Sequence, residues 1–146
     1  MKSVIAVGLG VLIALAIGLL VVFGIIEPVF TRFLGYKVVG PTALPTLLLL
    51  FATAFSFYFG GMAASYRAPT RRRLHGILVA PAAFAISPTI NLLSGKGLFP
   101  RLETAGVALA AAAFLAVSVV AAYVGSRRGE SLYAYNSKIT RRGRPR

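Results

Sequence analysis

The chain has 146 residues, of which 58% are apolar, and its mean hydropathy is +0.81. Ordinary soluble domains are about 45–50% apolar, so this composition excludes that class. The absence of cysteine excludes disulfides, thiolate catalysis and cysteine-based metal sites. A formal net charge of +13 would suggest nucleic acid as the partner of a soluble protein. Here the basic residues lie between and after long apolar runs, so we expect anionic lipid headgroups as partners and no nucleic acid.

Four uncharged runs of 22 to 29 residues follow one another along the chain. Each is long enough to cross a bilayer as a helix, for which about 20 apolar residues suffice. They predict transmembrane helices over 3–26, 42–66, 74–94 and 103–126. We therefore expect an all-α polytopic membrane protein, with a four-helix bundle in residues 1–130. Residues 131–146 have the composition of a disordered basic tail.

Three of the predicted helices carry small residues at four-residue intervals, which places them on one helix face. Close approach of small residues is a main source of helix association in lipid, so these ladders predict a compact bundle. They consist of Ala6, Gly10, Ala14 and Gly18 in the first helix, Ala52, Ser56, Gly60 and Ala64 in the second, and Ala108, Ala112 and Ala116 in the fourth.

The basic residues are divided unevenly among the connections. Twelve of the 16 lysines and arginines lie before the first helix, between the second and third, or after the fourth. The positive-inside rule therefore places both termini and the central loop in the cytoplasm. The residues expected to contact lipid headgroups or a partner are Arg67, Arg71, Arg72, Arg73, Arg127 and Arg128.

The third predicted helix contains Pro81 and Pro88, and each proline removes a backbone donor and favours a kink. Ser87, Thr89 and Asn91 surround the second proline. One interpretation is that these three residues line a polar pocket or pathway, as in broken transporter helices. The interpretation that we prefer is a kinked helix whose polar side chains are satisfied locally near the outer surface.

Acidic residues and histidine are few. The acidic residues are Glu27, Glu103 and Glu130, and the single histidine is His75. One histidine without cysteine predicts no metal site, and no nucleophile, base and acid are collected on one side of the membrane. We therefore expect neither a cofactor nor catalysis. For His75 we expect the role of a polar cap on the third helix.

The stretch GGMAASYRAPTRRRLHGILVA joins the second helix to the third. A glycine pair, small residues, arginines and then Leu-His-Gly resemble a group of small prokaryotic four-helix membrane proteins, catalogued as conserved families of unknown function. The motif positions are Gly60, Gly61, His75 and Gly76. The resemblance covers this central hairpin. It implies the cytoplasmic membrane of a bacterium or archaeon and supplies no activity.

Together these features predict an integral protein of the cell membrane with a structural, accessory or complex-assembly role. Such a protein would associate with itself or with another membrane protein through its small-residue faces. The alternative is a small transporter or channel-forming subunit that acts as an oligomer. The sequence indicates neither a substrate nor a specific activity.

Overall fold

The computed structural model describes residues 2–34, 43–95 and 105–142. These residues are almost entirely helical and contain no strand, which confirms the all-α class. The helices are α1 (Lys2–Val21), α2 (Leu44–Arg67), α3 (Arg72–Ile77), α4 (Val79–Leu93) and α5 (Ala105–Arg142). Two π-helical segments, Val22–Ile26 and Val29–Leu34, continue α1.

Three helical stretches are long and apolar enough to cross a membrane. They are Lys2–Arg32, Leu44–Arg67 and Gly106–Thr140. The length and apolarity of these helices support the membrane class that the composition predicts. The predicted third span falls on α3 and α4, and α4 has only 15 residues.

The break between α3 and α4 lies at Leu78, one turn before Pro81. The Leu78 N–H still donates to the Leu74 carbonyl over 3.0 Å, and the Ala82 N–H donates to Leu78 over 3.1 Å. Pro81 has no N–H for the carbonyl of Ile77, and a proline ring crowds the carbonyl four residues before it. Leu78 accordingly has a ψ of −14°, against about −42° in a regular α-helix. The helical path is thus continuous but locally distorted, and α4 runs through Pro88 without a further break.

Helix α1 packs antiparallel to α2 through the ladders that the sequence predicts. A Cβ atom at Gly60 would lie 2.6 Å from the carbonyl oxygen of Gly10. Further towards the start of α2, a Cβ at Gly18 would lie 3.4 Å from Oγ of Ser56. From the first contact to the second, the residue number rises in α1 and falls in α2. The two helices therefore run in opposite directions.

Helix α5 packs parallel to α2 through a different face from the one predicted. Glycines allow backbone to approach backbone at three places: Gly61 against Ala122, Gly125 against Tyr58 and Gly129 against Met62. The residue numbers rise together from the Tyr58–Gly125 contact to the Met62–Gly129 contact, so α2 and α5 run in the same direction. The contact of Tyr66 with Tyr133 continues this order. The contacts bring each glycine against a carbonyl oxygen of the facing helix, where any side chain would overlap it.

The predicted ladder of α5, formed by Ala108, Ala112 and Ala116, is exposed. The expectation that this face packs within the bundle is therefore wrong. Alanines recur on several faces of this helix, and a four-residue spacing alone does not distinguish them. Only glycine permits the carbonyl contacts described above, and the glycines of α5 that make them lie on the packed face.

Helix α5 also extends further than its composition predicts. Over 131–142, where basic composition predicts a disordered tail, the chain is the last part of α5. Tyr133 packs edge-to-face on Tyr66 of α2, and Asn136 donates to the Tyr66 hydroxyl over 3.0 Å. These contacts attach the first turns beyond residue 130 to the end of α2. Residues 143–146 lie outside the described part of the chain.

Candidate functional site

The motif identified in the sequence forms one end of the molecule. We call this region the hairpin end: the last turn of α2, the 68–71 connection, α3 and residues 126–136 of α5. Ala68 is extended, with φ −64° and ψ 136°, because the residue before a proline is driven out of the α region. Arg71 then adopts a left-handed conformation with φ 41°, and α3 begins at the next residue.

The carbonyl of Arg71 is the acceptor around which α3 begins. It accepts from the backbone N–H of Leu74 over 2.9 Å and of His75 over 3.4 Å. Nδ1 of His75 lies 3.1 Å from the same oxygen. A carbonyl only accepts, so Nδ1 carries a proton and Nε2 has a free lone pair whenever the ring is neutral. His75 is buried, with 8% of its surface exposed.

Arg72 joins the end of α2 to α5. Its Nη1 donates to the carbonyls of Tyr66 over 2.7 Å and of Ser65 over 3.2 Å. These carbonyls belong to the last turn of α2, and no following helical N–H is available to donate to them. The guanidinium also lies 3.3 Å above the centre of the Tyr133 ring, a cation–π contact. The guanidinium of Arg72 is therefore engaged in contacts within the molecule.

Two further contacts hold α5 at the hairpin end. Arg73 forms an ion pair and hydrogen bond with Glu130. This pair is exposed, so its contribution to stability is small. The buried hydroxyl of Ser65 donates to the carbonyl of Ser126 over 2.8 Å.

The other arginines predicted to contact headgroups or a partner are exposed. These are Arg67, Arg71, Arg127 and Arg128. Arg67 lines a small cleft of about 170 Å³ together with Lys2 of α1, so two cations from different helices meet there. The hairpin end thus presents several positive charges, whereas Arg72 and Arg73 are used in internal contacts.

The motif glycines lie where three helices meet. Gly60 faces α1 and Gly61 faces α5, because adjacent helical positions point about 100° apart. A Cβ at Gly76 would overlap Ser126 of α5 and lie 2.7 Å from the carbonyl oxygen of Gly61. Their role in this structure is close packing.

The three polar residues of the third predicted helix are only partly described. Thr89 donates its hydroxyl to the carbonyl of Ala85 in its own helix, over 2.6 Å. This contact satisfies the hydroxyl locally. The side chains of Ser87 and Asn91 lie outside the described residues.

Two apolar grooves open on the sides of the helices. One, of about 550 Å³, lies between α2 and α5 and is lined by residues that include Phe51, Phe55, Ala116 and Val120. The other, of about 610 Å³, lies between α1 and the α3–α4 segment, and His75 contributes to its lining. Both grooves face the space that lipid tails or another helix would occupy in a membrane.

Sequence reasoning missed the partners of the arginines. Ser65, Tyr66, Ser126 and Asn136 help to complete the hairpin end, and none of these four was singled out. The available signal is the spacing of 126, 130, 133 and 136 on α5, which repeats at three and four residues and defines one helix face. That signal is informative only when the helix is taken to continue beyond residue 130.

In the described residues, no three histidine, aspartate or glutamate side chains are grouped as metal ligands would be. Comparison with known proteins gives no match to a family model, to a curated protein or to a solved structure. The functional inference therefore rests on the geometry of the hairpin end and of the two grooves.

Replacement of Arg72 by lysine tests the internal contacts of the hairpin end. An ammonium group cannot both span two carbonyls and stack flat on Tyr133. We expect Arg72→Lys to lower the free energy of unfolding in detergent by about 1–2 kcal/mol. The control Arg127→Lys, at an exposed position of the same charge, should change it by less than about 0.5 kcal/mol. Equal effects of the two substitutions would contradict the assigned role.

Proposed function

We propose that the chain crosses the membrane four times, with α3 and α4 together as the third span. Their path over residues 72–93 measures about 33 Å at 1.5 Å per residue, comparable with the roughly 30 Å hydrocarbon core. The directions of the helices support this proposal. Because α2 and α5 run parallel, the chain between them has to return to the side on which α2 began, and α3–α4 is the segment available for that return.

The hairpin end and both termini face the cytoplasm in this proposal. The antiparallel packing of α1 on α2 brings Lys2 to the hairpin end, beside Arg67. The exposed Arg71, Arg127 and Arg128 lie there as well. This concentration of cations supports a cytoplasmic placement by the positive-inside rule. The resemblance of the central hairpin to prokaryotic proteins favours the cell membrane of a prokaryote.

The role we propose is that of an accessory or assembly component that docks a helix of another membrane protein. The groove between α2 and α5 is the observation that carries it. The groove is bordered by aromatic rings of α2 and small or branched residues of α5. The exposed Ala108, Ala112 and Ala116 continue this surface along α5. Small residues beside an apolar groove allow another helix to approach closely, which favours association in lipid.

The proposed crossing number can be tested by thiol labelling, because the chain has no natural cysteine. Ser94→Cys marks the end of α4 and Ser131→Cys marks α5 at the hairpin end, and both positions are exposed. In intact cells we expect a membrane-impermeant maleimide to label Ser94→Cys and to leave Ser131→Cys unlabelled until the membrane is opened. Protection of Ser94→Cys with labelling of Ser131→Cys would show that the proposed topology is wrong.

The docking role can be tested by purification in a mild detergent, with mass and co-purifying proteins measured together. We expect a stoichiometric membrane-protein partner that is lost from Ala116→Phe, because the new ring would fill the groove. Ala16→Phe is the matched control, since it places the same ring at an exposed position of α1, outside the groove lining. A homo-oligomer that passes ions in liposomes would contradict the accessory role and support a channel-forming subunit.

A further inference from the structure

The groove between α1 and the α3–α4 segment has the dimensions and lining of a site for a lipid chain. Its volume is about 610 Å³. Val7, Gly8 and Val11 line one wall and Leu78, Pro81 and Ile86 line the other. The polar groups that contribute to the lining are those of Ser3 and His75, and both residues lie towards the hairpin end.

His75 places an unused hydrogen-bond acceptor in this apolar groove. The residue is more than nine-tenths buried, and Nδ1 is engaged with the carbonyl of Arg71. Every fully buried side-chain nitrogen and oxygen among the described residues has a partner. Nε2 makes no hydrogen bond within the described residues, so it remains accessible, and the groove is the space that His75 lines. An acceptor in apolar surroundings is stabilised by a donor, and burial without one costs free energy.

Positive charges lie near the same end of the groove. Lys2 lies beside Arg67 on the face of α1 opposite the groove, and Arg71 supplies the carbonyl that holds His75. Both side chains are exposed. Of the two acidic residues in the described part of the chain, Glu130 is paired with Arg73, and Glu27 lies beyond the far end of α1. The surroundings therefore favour an anion at the mouth of the groove.

We propose that this groove binds an anionic phospholipid whose headgroup carries a free hydroxyl, as phosphatidylglycerol does. The acyl chain lies along the apolar walls, the hydroxyl donates to Nε2 of His75, and the phosphate lies in the positive field of the hairpin end, to which Arg71 beside His75 contributes. The proposal rests on insertion of the chain in a membrane and does not depend on the docking role. The two proposed sites lie in different grooves.

Native mass spectrometry of the purified chain in detergent tests the headgroup requirement. The protein is offered phosphatidylglycerol, phosphatidylethanol or phosphatidylcholine with identical acyl chains. Phosphatidylethanol has the same charge as phosphatidylglycerol but no hydroxyl, and phosphatidylcholine has no net charge. We expect phosphatidylglycerol to be retained about fivefold better than phosphatidylethanol, the ratio for one hydrogen bond. Phosphatidylethanol should in turn exceed phosphatidylcholine. Equal retention of the two anionic lipids would overturn the proposal.

A larger side chain in the groove tests whether the lipid binds there. A Cβ at Gly8 meets no atom within 4 Å, so Gly8→Leu occupies the groove without disturbing the helix packing. We expect phosphatidylglycerol retention to fall about tenfold, to the level of phosphatidylcholine. Gly106→Leu is the control, because its Cβ position is equally open but lies on α5, outside the groove lining. Unchanged phosphatidylglycerol retention in Gly8→Leu, or an equal loss of retention in both variants, would show that the lipid does not bind in this groove.

His75→Phe tests the acceptor directly, since it keeps a ring of similar size. We expect the preference for phosphatidylglycerol over phosphatidylethanol to disappear while binding of phosphatidylethanol is kept. A persisting preference would overturn the assignment of His75. If this variant does not fold, the lipid preference of the natural chain and the Gly8→Leu pair still decide the proposal. All of these measurements use the chain without a protein partner, so their failure would leave the docking role unaffected.

Discussion

Backbone contact at the paired glycines of α2 is the constraint on which the remaining structure depends. Gly60 meets the Gly10 carbonyl of α1, and Gly61 meets the backbone of Ala122 in α5. In lipid, apolar side chains gain little from leaving one apolar environment for another, so close contact between backbones is a principal source of cohesion. Two adjacent residues point about 100° apart, which allows one short segment of α2 to hold two neighbouring helices.

This arrangement explains the rest of the hairpin end. With α5 parallel to α2, Tyr133 lies beside Tyr66, and Arg72 reaches both the Tyr133 ring and the last carbonyls of α2. The lateral surfaces that the glycine contacts leave uncovered form the two apolar grooves. A charged end can contact lipid headgroups, whereas apolar sides can contact acyl chains or other transmembrane helices.

The parts of the fold that depend on local pattern were predictable. Apolar runs located α1 and α2 to within a few residues over the described range, and Pro81 indicated the break at Leu78. The packed face of α5 was not predictable from its alanine ladder, because alanines occupy several faces of that helix. Its extension beyond residue 130 was missed because basic composition resembles a disordered tail, whereas tertiary contacts to Tyr66 support a helix there. The role of Arg72 also depends on Tyr133, which is remote in sequence.

Thiol cross-linking of paired cysteines, in a chain that has none of its own, tests the parallel packing of α2 and α5 most directly. Tyr66 and Tyr133 have ring centres 6.0 Å apart and are both exposed. An antiparallel α5 that kept the Gly61–Ala122 contact would instead place Val117 beside Tyr66. With a short bifunctional thiol reagent, we predict efficient cross-linking of Tyr66→Cys with Tyr133→Cys and none of Tyr66→Cys with Val117→Cys. The reverse result would contradict the parallel packing.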